Sequence, residues 1–343
     1  YLDELQAFCQ RLPPPLELPL RGSVADSPEL EALVDAMIEL RLRHDEHAIS
    51  EIRRAAAVTV RAHRAGMAAT SPGVRVSVVR AAMEREILAE NFTTAYGSIV
   101  TTHGEVLHTL DRSSVCGQND LLLADVGAES DLGFASDVTR TWPTSGRFSA
   151  SQRAMYDLVL AAQTTAIAAV RPGVRYRDVH LAACRVLLRG LIDHGLFVGE
   201  LDGLIERGAH ALFFPHGIGH LLGLDVHDME DFGDRAGYAP GRTRASQFGL
   251  CYLRLDRDLA PGNAVTIEPG LYFVPAILRS DRLVAPLRGD FRPDKLAQFA
   301  DVRGIRIEDD VLVTATGHEV LTAGLGKGAA EVEAMCGNSS SAC

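Results

Sequence analysis

LLLADVGAESDLGFASDVTRTW, residues 121–142, reads as two strands and the turn between them. Leu121–Val126 is apolar except for Asp125, and a polar turn follows with Glu129, Ser130 and Asp131. The return strand places Asp137, Thr139 and Thr141 on one face, because successive strand side chains alternate. A hairpin over Leu121–Thr141 would set Asp125 and Asp137 side by side on neighbouring strands. Two carboxylates that close repel each other unless a cation lies between them. Both adjoin apolar strand residues, where an unpaired charge is costly, and this argues against an ordinary solvated turn.

Three further residues fit the same chemistry. His220 ends the run FFPHGIGH (213–220), and His216, His220 and His227 fall within twelve residues, followed by Asp228. Glu268 ends the β-like run Ala264–Ile267 and precedes Pro269-Gly270. Glu308 lies in Ile305-Arg306-Ile307-Glu308, where alternation puts Arg306 and Glu308 on one face. Asp125, Asp137, His220, Glu268 and Glu308 thus offer four carboxylates and one imidazole, a set suited to two divalent cations that share bridging oxygens. Two such ions roughly 3.5–4 Å apart can generate a hydroxide and polarise a carbonyl near neutral pH, which points to a hydrolase. Oxygen-rich ligation favours Mn²⁺, with Co²⁺, Zn²⁺ or Fe²⁺ as alternatives.

Helical periodicity begins at His44, where Ile49, Ile52, Ala56 and Val60 form one apolar stripe. A second helix is predicted from about Ser77 to Glu90, and a strand at Ile99-Val100. Ser149 or Ser151 can cap a helix running to Val170, and another follows from Tyr176 to Leu191. Pro72-Gly73-Val74-Arg75 recurs as Pro172-Gly173-Val174-Arg175, each time joining an Ala-rich helix to a second helix with strands after it. That order suggests a duplicated helix–helix–sheet unit. The strands Leu121–Val126, Asp137–Trp142, Ala264–Glu268, Leu271–Val274 and Ile305–Leu312 do not alternate with helices. The expected class is therefore α+β, with an antiparallel sheet carrying the site on one face. Residues 1–43, with Pro13-Pro14-Pro15 and a short helix at Glu29–Leu42, read as a linker or the remnant of an N-terminal domain. Residues 44–335 read as the catalytic domain, and 336–343 (CGNSSSAC) as a flexible tail.

The chain has 343 residues and a net charge of −11, with 47% hydrophobic and 23% charged residues. Its acidity and the lack of a basic stripe argue against a nucleic-acid partner. No apolar run approaches the roughly 20 residues of a membrane span. Cys9, Cys116, Cys184, Cys251, Cys336 and Cys343 form no CxxC pair, so reduced thiols and a cytoplasmic setting are expected.

The motifs ADVG, SDVTRT, PHGIGH, TIEPG and GIRIEDD, in this order from Asp125 to Glu308, resemble those of the pita-bread metallopeptidases: methionine aminopeptidase, aminopeptidase P and prolidase. The resemblance runs from about His44 to Met335. It implies a pita-bread fold with pseudo-two-fold halves and hydrolysis of Xaa-Pro bonds in short proline-containing peptides by a metal-bridging hydroxide. It implies that Asp125 chelates one metal, Asp137 and Glu308 bridge both, and His220 and Glu268 hold the other. Glu268 would also take the proton of the attacking water. His108 matches the substrate-side histidine of the Xaa-Pro peptidases, and His227 the one that steadies the tetrahedral intermediate. His216 and Arg306 match supporting positions where substrate binds. Arg254, in Tyr252-Leu253-Arg254-Leu255, is similar in place to the arginine with which prolidases hold a dipeptide's C-terminal carboxylate; a guanidinium can grip a carboxylate through two hydrogen bonds. These histidines, that arginine and the long segment between Glu268 and Glu308 place the resemblance nearest prolidase, with Xaa-Pro aminopeptidase beside it. A homodimer is implied if an N-terminal domain is present. A pita-bread binding protein without catalysis is the alternative, though such relatives usually lose metal ligands.

Overall fold

The computed structural model describes residues 28–107, 109 and 111–337. Helix α1 (Pro28–Arg41) forms one unit and the residues from Leu42 onward another. Within α1, Glu29 and Glu31 occupy the first turn and Arg41 the last, which suits the helix dipole at both ends. At the start of the second unit Asn263 donates its side-chain amide to the Leu42 carbonyl, and His44 donates its backbone N–H to Gly262 at 2.9 Å.

The second unit opens with α2 (Glu46–Ala69) and α3 (Val76–Leu88). Asp45 caps α2 by accepting from the Ala48 amide at 2.8 Å. Ile52, Ala55, Ala56, Thr59, Ala62 and His63 are buried along α2, at the three- and four-residue steps of one helical face. The sheet of this half has the order β2-β3-β5, built from Ile99–Thr101, Leu121–Asp125 and Thr139–Pro143. All its pairings are antiparallel, with Asp125 opposite both Ile99 and Thr139. The turn between β3 and β5 is not a bare hairpin loop. It contains β4 (Ala128–Glu129), which pairs with β1 (Thr93–Thr94).

The pattern then repeats. Helix α4 (Ala150–Ala169) starts at Ser149, which forms a reciprocal capping box with Gln152. Helix α5 (Tyr176–Asp193) follows, and a second antiparallel sheet has the order β6-β9-β10, from Ala264–Ile267, Asp309–Val313 and His318–Val320. The two PGVR turns are equivalent in detail. Gly73 and Gly173 have φ of +88° and +82°, a region open chiefly to glycine. Their amides donate to Cys116 and Leu259, and the amides of Val76 and Tyr176 donate to Ser114 and Arg257. The duplicated α+β organisation is therefore present in hydrogen bonds as well as in element order.

The halves meet where β5 runs beside β8 (Gly304–Arg306) and the start of β9. There the Thr141 hydroxyl bonds the Arg306 carbonyl at 3.0 Å, and the Glu308 amide donates to the Thr139 carbonyl at 3.0 Å. The single strand expected over Ile305–Leu312 is two strands. β8 pairs with β7 (Gly270–Tyr272), and β9 pairs with β6 and β10. The break falls at Ile307-Glu308, because the backbone there bonds Pro269 and Thr139 instead of continuing one ladder. Cys336, expected to open a tail, is buried in the helix Ala329–Gly337. Among the described residues no helix is long and apolar enough to cross a membrane.

Behind this seam Asp309 is fully buried against Arg140, 2.7 Å away, and also accepts from Lys327 (2.6 Å), Gln163 and Thr322. Burial alone would raise its pKa, but Arg140 and Lys327 outweigh burial and hold it at about 2. Its folded pKa is depressed, so its contribution to stability is complete above the ordinary carboxylate pKa and is lost as pH falls through about 2. Asp309→Ala, which strands a buried guanidinium, should lower unfolding free energy in urea by about 3–5 kcal/mol. Glu319→Ala, which breaks the exposed Arg53–Glu319 pair, should cost under about 1 kcal/mol.

Candidate metal centre

Five side chains from both halves converge at the seam. Asp125 ends β3, Asp137 precedes β5, Glu268 follows β6, Glu308 sits between β8 and β9, and His220 lies on the loop beside β6. The local backbone explains each placement. The amide of Asp137 donates to the Asp310 carboxylate at 3.0 Å, and that carboxylate also accepts from Ser136 at 2.7 Å. The Glu268 amide donates to Ile218 at 2.8 Å. His220 exchanges bonds with Thr266 through its amide and carbonyl. Gly219, with φ +155°, lets that loop pass so close to β6 and α5 that a Cβ would stand 2.3 Å from the Thr266 carbonyl oxygen and 2.4 Å from the Tyr176 hydroxyl.

The candidate ligand atoms fall into overlapping groups. Asp125, Asp137 and Glu308 offer three atoms all within 4.8 Å of one another, as do His220, Glu268 and Glu308, and also Asp137, His220 and His227. Glu308 thus belongs to two neighbouring groups. Asp137 joins the same two regions, since its carboxylate is 3.3 Å from His220 Nε2. The Leu221 carbonyl accepts from Nδ1 of His220 at 2.9 Å, which fixes the ring and turns Nε2 towards the acids. Nε2 is also 3.6 Å from Glu268.

The electrostatics are those of crowded acids in a buried place. Burial, opposed by Arg306, raises Asp125 to about 6, and burial opposed by His220 raises Glu268 to about 7. Burial, with Asp137 and Glu268 nearby, lifts Glu308 well above the usual carboxylate range. Burial also acts to raise Asp137, but the bond to His220 and that ring's charge outweigh it and the net shift is downward. Divalent cations fit this donor set: four hard carboxylates and an imidazole, held close together on the wall of one cavity, are what two oxygen-seeking ions require.

Neighbouring groups fix the ligands. Arg306 donates to Asp125 at 2.6 Å, to the Thr139 hydroxyl at 2.9 Å and to Tyr272 at 3.1 Å, while Thr139 donates to Glu308 at 2.6 Å. The expectation that Arg306 and Glu308 share a face therefore holds across the strand break. His216 bonds Tyr272 at 2.8 Å, and its Nδ1 lies 3.8 Å from Glu268. The His227 ring is 4.4 Å from that of His220, and its Nδ1 is 2.8 Å from the Arg254 guanidinium, which also pairs with Glu230. Burial, with His220 and Arg254 adding to it, lowers His227 to about 4, so its ring is neutral. Asp125, His216, His227, Arg254 and Arg306 open onto one cavity of about 610 Å³, which Phe248, Tyr252 and Ile277 also line. Leu107 also lines it, whereas His108 lies outside the described residues.

Sequence reasoning missed three contributors. The Tyr96 hydroxyl reaches both Asp125 and Asp137, and nothing in its local pattern marks it. Tyr272 joins His216 to Arg306 only through long-range packing. Asp310 was legible, because alternation from Glu308 puts it on the same side of the chain. Asp310→Ala should weaken Mn²⁺ binding about 10–100-fold in calorimetric titration, with unchanged circular dichroism.

Residues 50–315 match metallopeptidase family M24. The chain is 32% identical over 349 residues to the Xaa-Pro dipeptidase of Homo sapiens, covering 94% of this chain and 69% of that protein. It is 36% identical over 320 residues to Xaa-Pro aminopeptidase 2 of Streptomyces coelicolor, covering 92% of this chain and 61% of that one. The solved structure of Pseudomonas aeruginosa aminopeptidase PepP superposes with a TM-score of 0.76 at 35% identity, over 90% of this chain and 63% of that one. The chain thus spans about two thirds of the length of these relatives.

Proposed function

This chain belongs to metallopeptidase family M24, and from that premise we propose that it cleaves the Xaa-Pro bond of short peptides, as an Xaa-Pro dipeptidase or an Xaa-Pro aminopeptidase. The observation that carries this reading is the sharing of Glu308 between two adjoining ligand groups. Asp125, Asp137 and Glu308 would hold one cation. His220 and Glu268 would hold the other, with Asp137 and Glu308 reaching both. Mn²⁺ suits the oxygen-rich set best. When bound, two divalent cations would supply Lewis acidity at the scissile carbonyl and a lowered pKa for the attacking water.

The protein's own groups supply the rest. Glu268 is the least buried of the acids for which side-chain exposure bears on access, at 17%, and it faces the cavity beside His216, so it can take the proton of the attacking water. Nδ1 of His227 is held between Arg254 and Glu230, 2.8 Å from each, which orients the ring so that Nε2 can donate to the developing oxyanion. The remaining N–H groups of Arg254 can bind the C-terminal carboxylate of a dipeptide and so limit substrate length. Arg306 and His216 hold Asp125 and Tyr272 in place around the substrate. His108 is assigned to the substrate side of the same cavity on the resemblance of its sequence setting.

The test is an assay of the Mn²⁺-loaded protein on an Xaa-Pro dipeptide and, beside it, a longer peptide with proline second. Cleavage of at least one is expected; cleavage of neither would overturn the reading. If the dipeptide alone is cut, Arg254→Ala should erase that preference. Asp137→Ala and Glu308→Ala should each abolish hydrolysis and the binding of a pair of cations, and full activity in either would contradict the assignment.

A further inference from the structure

A second group of potential ligands lies away from the cavity. His180 and Cys184 stand four residues apart on α5 and so share one helix face. His210 faces them from the short 3₁₀ turn Ala209–Leu212. One ligand atom from each residue lies within 4.8 Å of the other two. All three side chains are buried: His180 and Cys184 are 0% exposed and His210 is 1%. The Cys184 sulfur is 3.3 Å from His180 Nε2, close to the roughly 3.5 Å expected between a sulfur and a nitrogen bound to one tetrahedral ion.

Three of the four imidazole nitrogens of this cluster are unpaired among the described residues. Nδ1 of His180 and both ring nitrogens of His210 have no hydrogen-bond partner among the described residues. A buried polar group left unsatisfied costs about 1–3 kcal/mol, and two such imidazoles in one place call for a partner. The two rings lie edge to face, 6.0 Å apart, and the His180 ring is 5.3 Å from that of Phe214. Burial drives both imidazoles towards the neutral form, His210 to about 4, which is the form that ligates metal. A sulfur with two imidazole nitrogens is a softer set than the carboxylates at the seam, and it selects thiophilic ions.

We propose that His180, Cys184 and His210 form a separate site for one thiophilic metal ion of the Zn²⁺/Cu⁺ class. Binding displaces the Cys184 thiol proton to solvent, and the thiolate and two imidazoles then bond the ion. The ion ties α5 to the turn that leads, through Phe214, into the His216–His220 loop, since the Phe214 ring is 4.8 Å from that of His216. It therefore acts as a clip on the backbone that presents two groups of the metal centre. The site stands or falls independently of the reaction assigned above.

The centre at the seam contains no sulfur, so thiolate-to-metal charge transfer that depends on Cys184 reports on the second site. The chain expressed in Co²⁺-supplemented medium should show near-ultraviolet thiolate-to-cobalt absorption. Cys184→Ser should lose it, and Asp137→Ala should keep it. In Zn²⁺-supplemented medium Asp137→Ala should retain one zinc per chain, which Asp137→Ala with Cys184→Ser should not. His210→Phe should lower the melting temperature of the metal-loaded chain. Absence of the absorption, its survival in Cys184→Ser, or a melting temperature unchanged or raised by His210→Phe would each overturn the proposal, because a merely packed core would gain from an apolar ring.

Discussion

Repulsion among Asp125, Asp137, Glu268 and Glu308 is the constraint around which the rest of the structure is arranged. Two unit charges 4 Å apart in a medium of effective dielectric near 20 repel by about 4 kcal/mol, and this site gathers four acids within overlapping ligand groups. The fold meets that cost in part with its own cations and donors. Arg306 reaches Asp125, His220 reaches Asp137 and Glu268, and the Tyr96 hydroxyl sits between the two aspartates. What remains shows as carboxyl groups held towards their protonated forms. A pair of divalent cations would remove the strain and would turn a local instability into a reaction centre.

The duplicated architecture explains how such a site can be rigid. Each half contributes ligands from the end of a strand, and the seam between β5 and β8–β9 locks the two sets together through Thr139, Thr141 and the backbone of Glu308. On the other side of the same backbone, Arg140 binds the carbonyl of Glu308 and the carboxylate of Asp309. Adjacent acids thus do opposite work: Glu308 faces the cavity and Asp309 anchors the strand in the core.

Much of this was legible in residue order. Helix positions followed from apolar steps of three and four and from Ser149 as a cap, and the PGVR repeat marked turns whose glycines share a left-handed conformation. Asp125 and Asp137 could be paired because strand alternation and a turn fix their relation locally. The divided strand at Ile307-Glu308 was not legible, since its cause is hydrogen bonding to Pro269 and Thr139, far away in sequence. Tyr96 and Tyr272 escaped for the same reason. The packing of His210 against His180 and Cys184 likewise joins a helix to a turn that no spacing rule connects.

The most direct measurement is anomalous diffraction from crystals of the Mn²⁺-loaded chain. The account predicts two manganese peaks about 3.5–4 Å apart between Asp125, Asp137, His220, Glu268 and Glu308, with Glu308 touching both. A Mn²⁺-saturated crystal with no peak there, or with a single ion that leaves Asp125 or His220 uncoordinated, would contradict it.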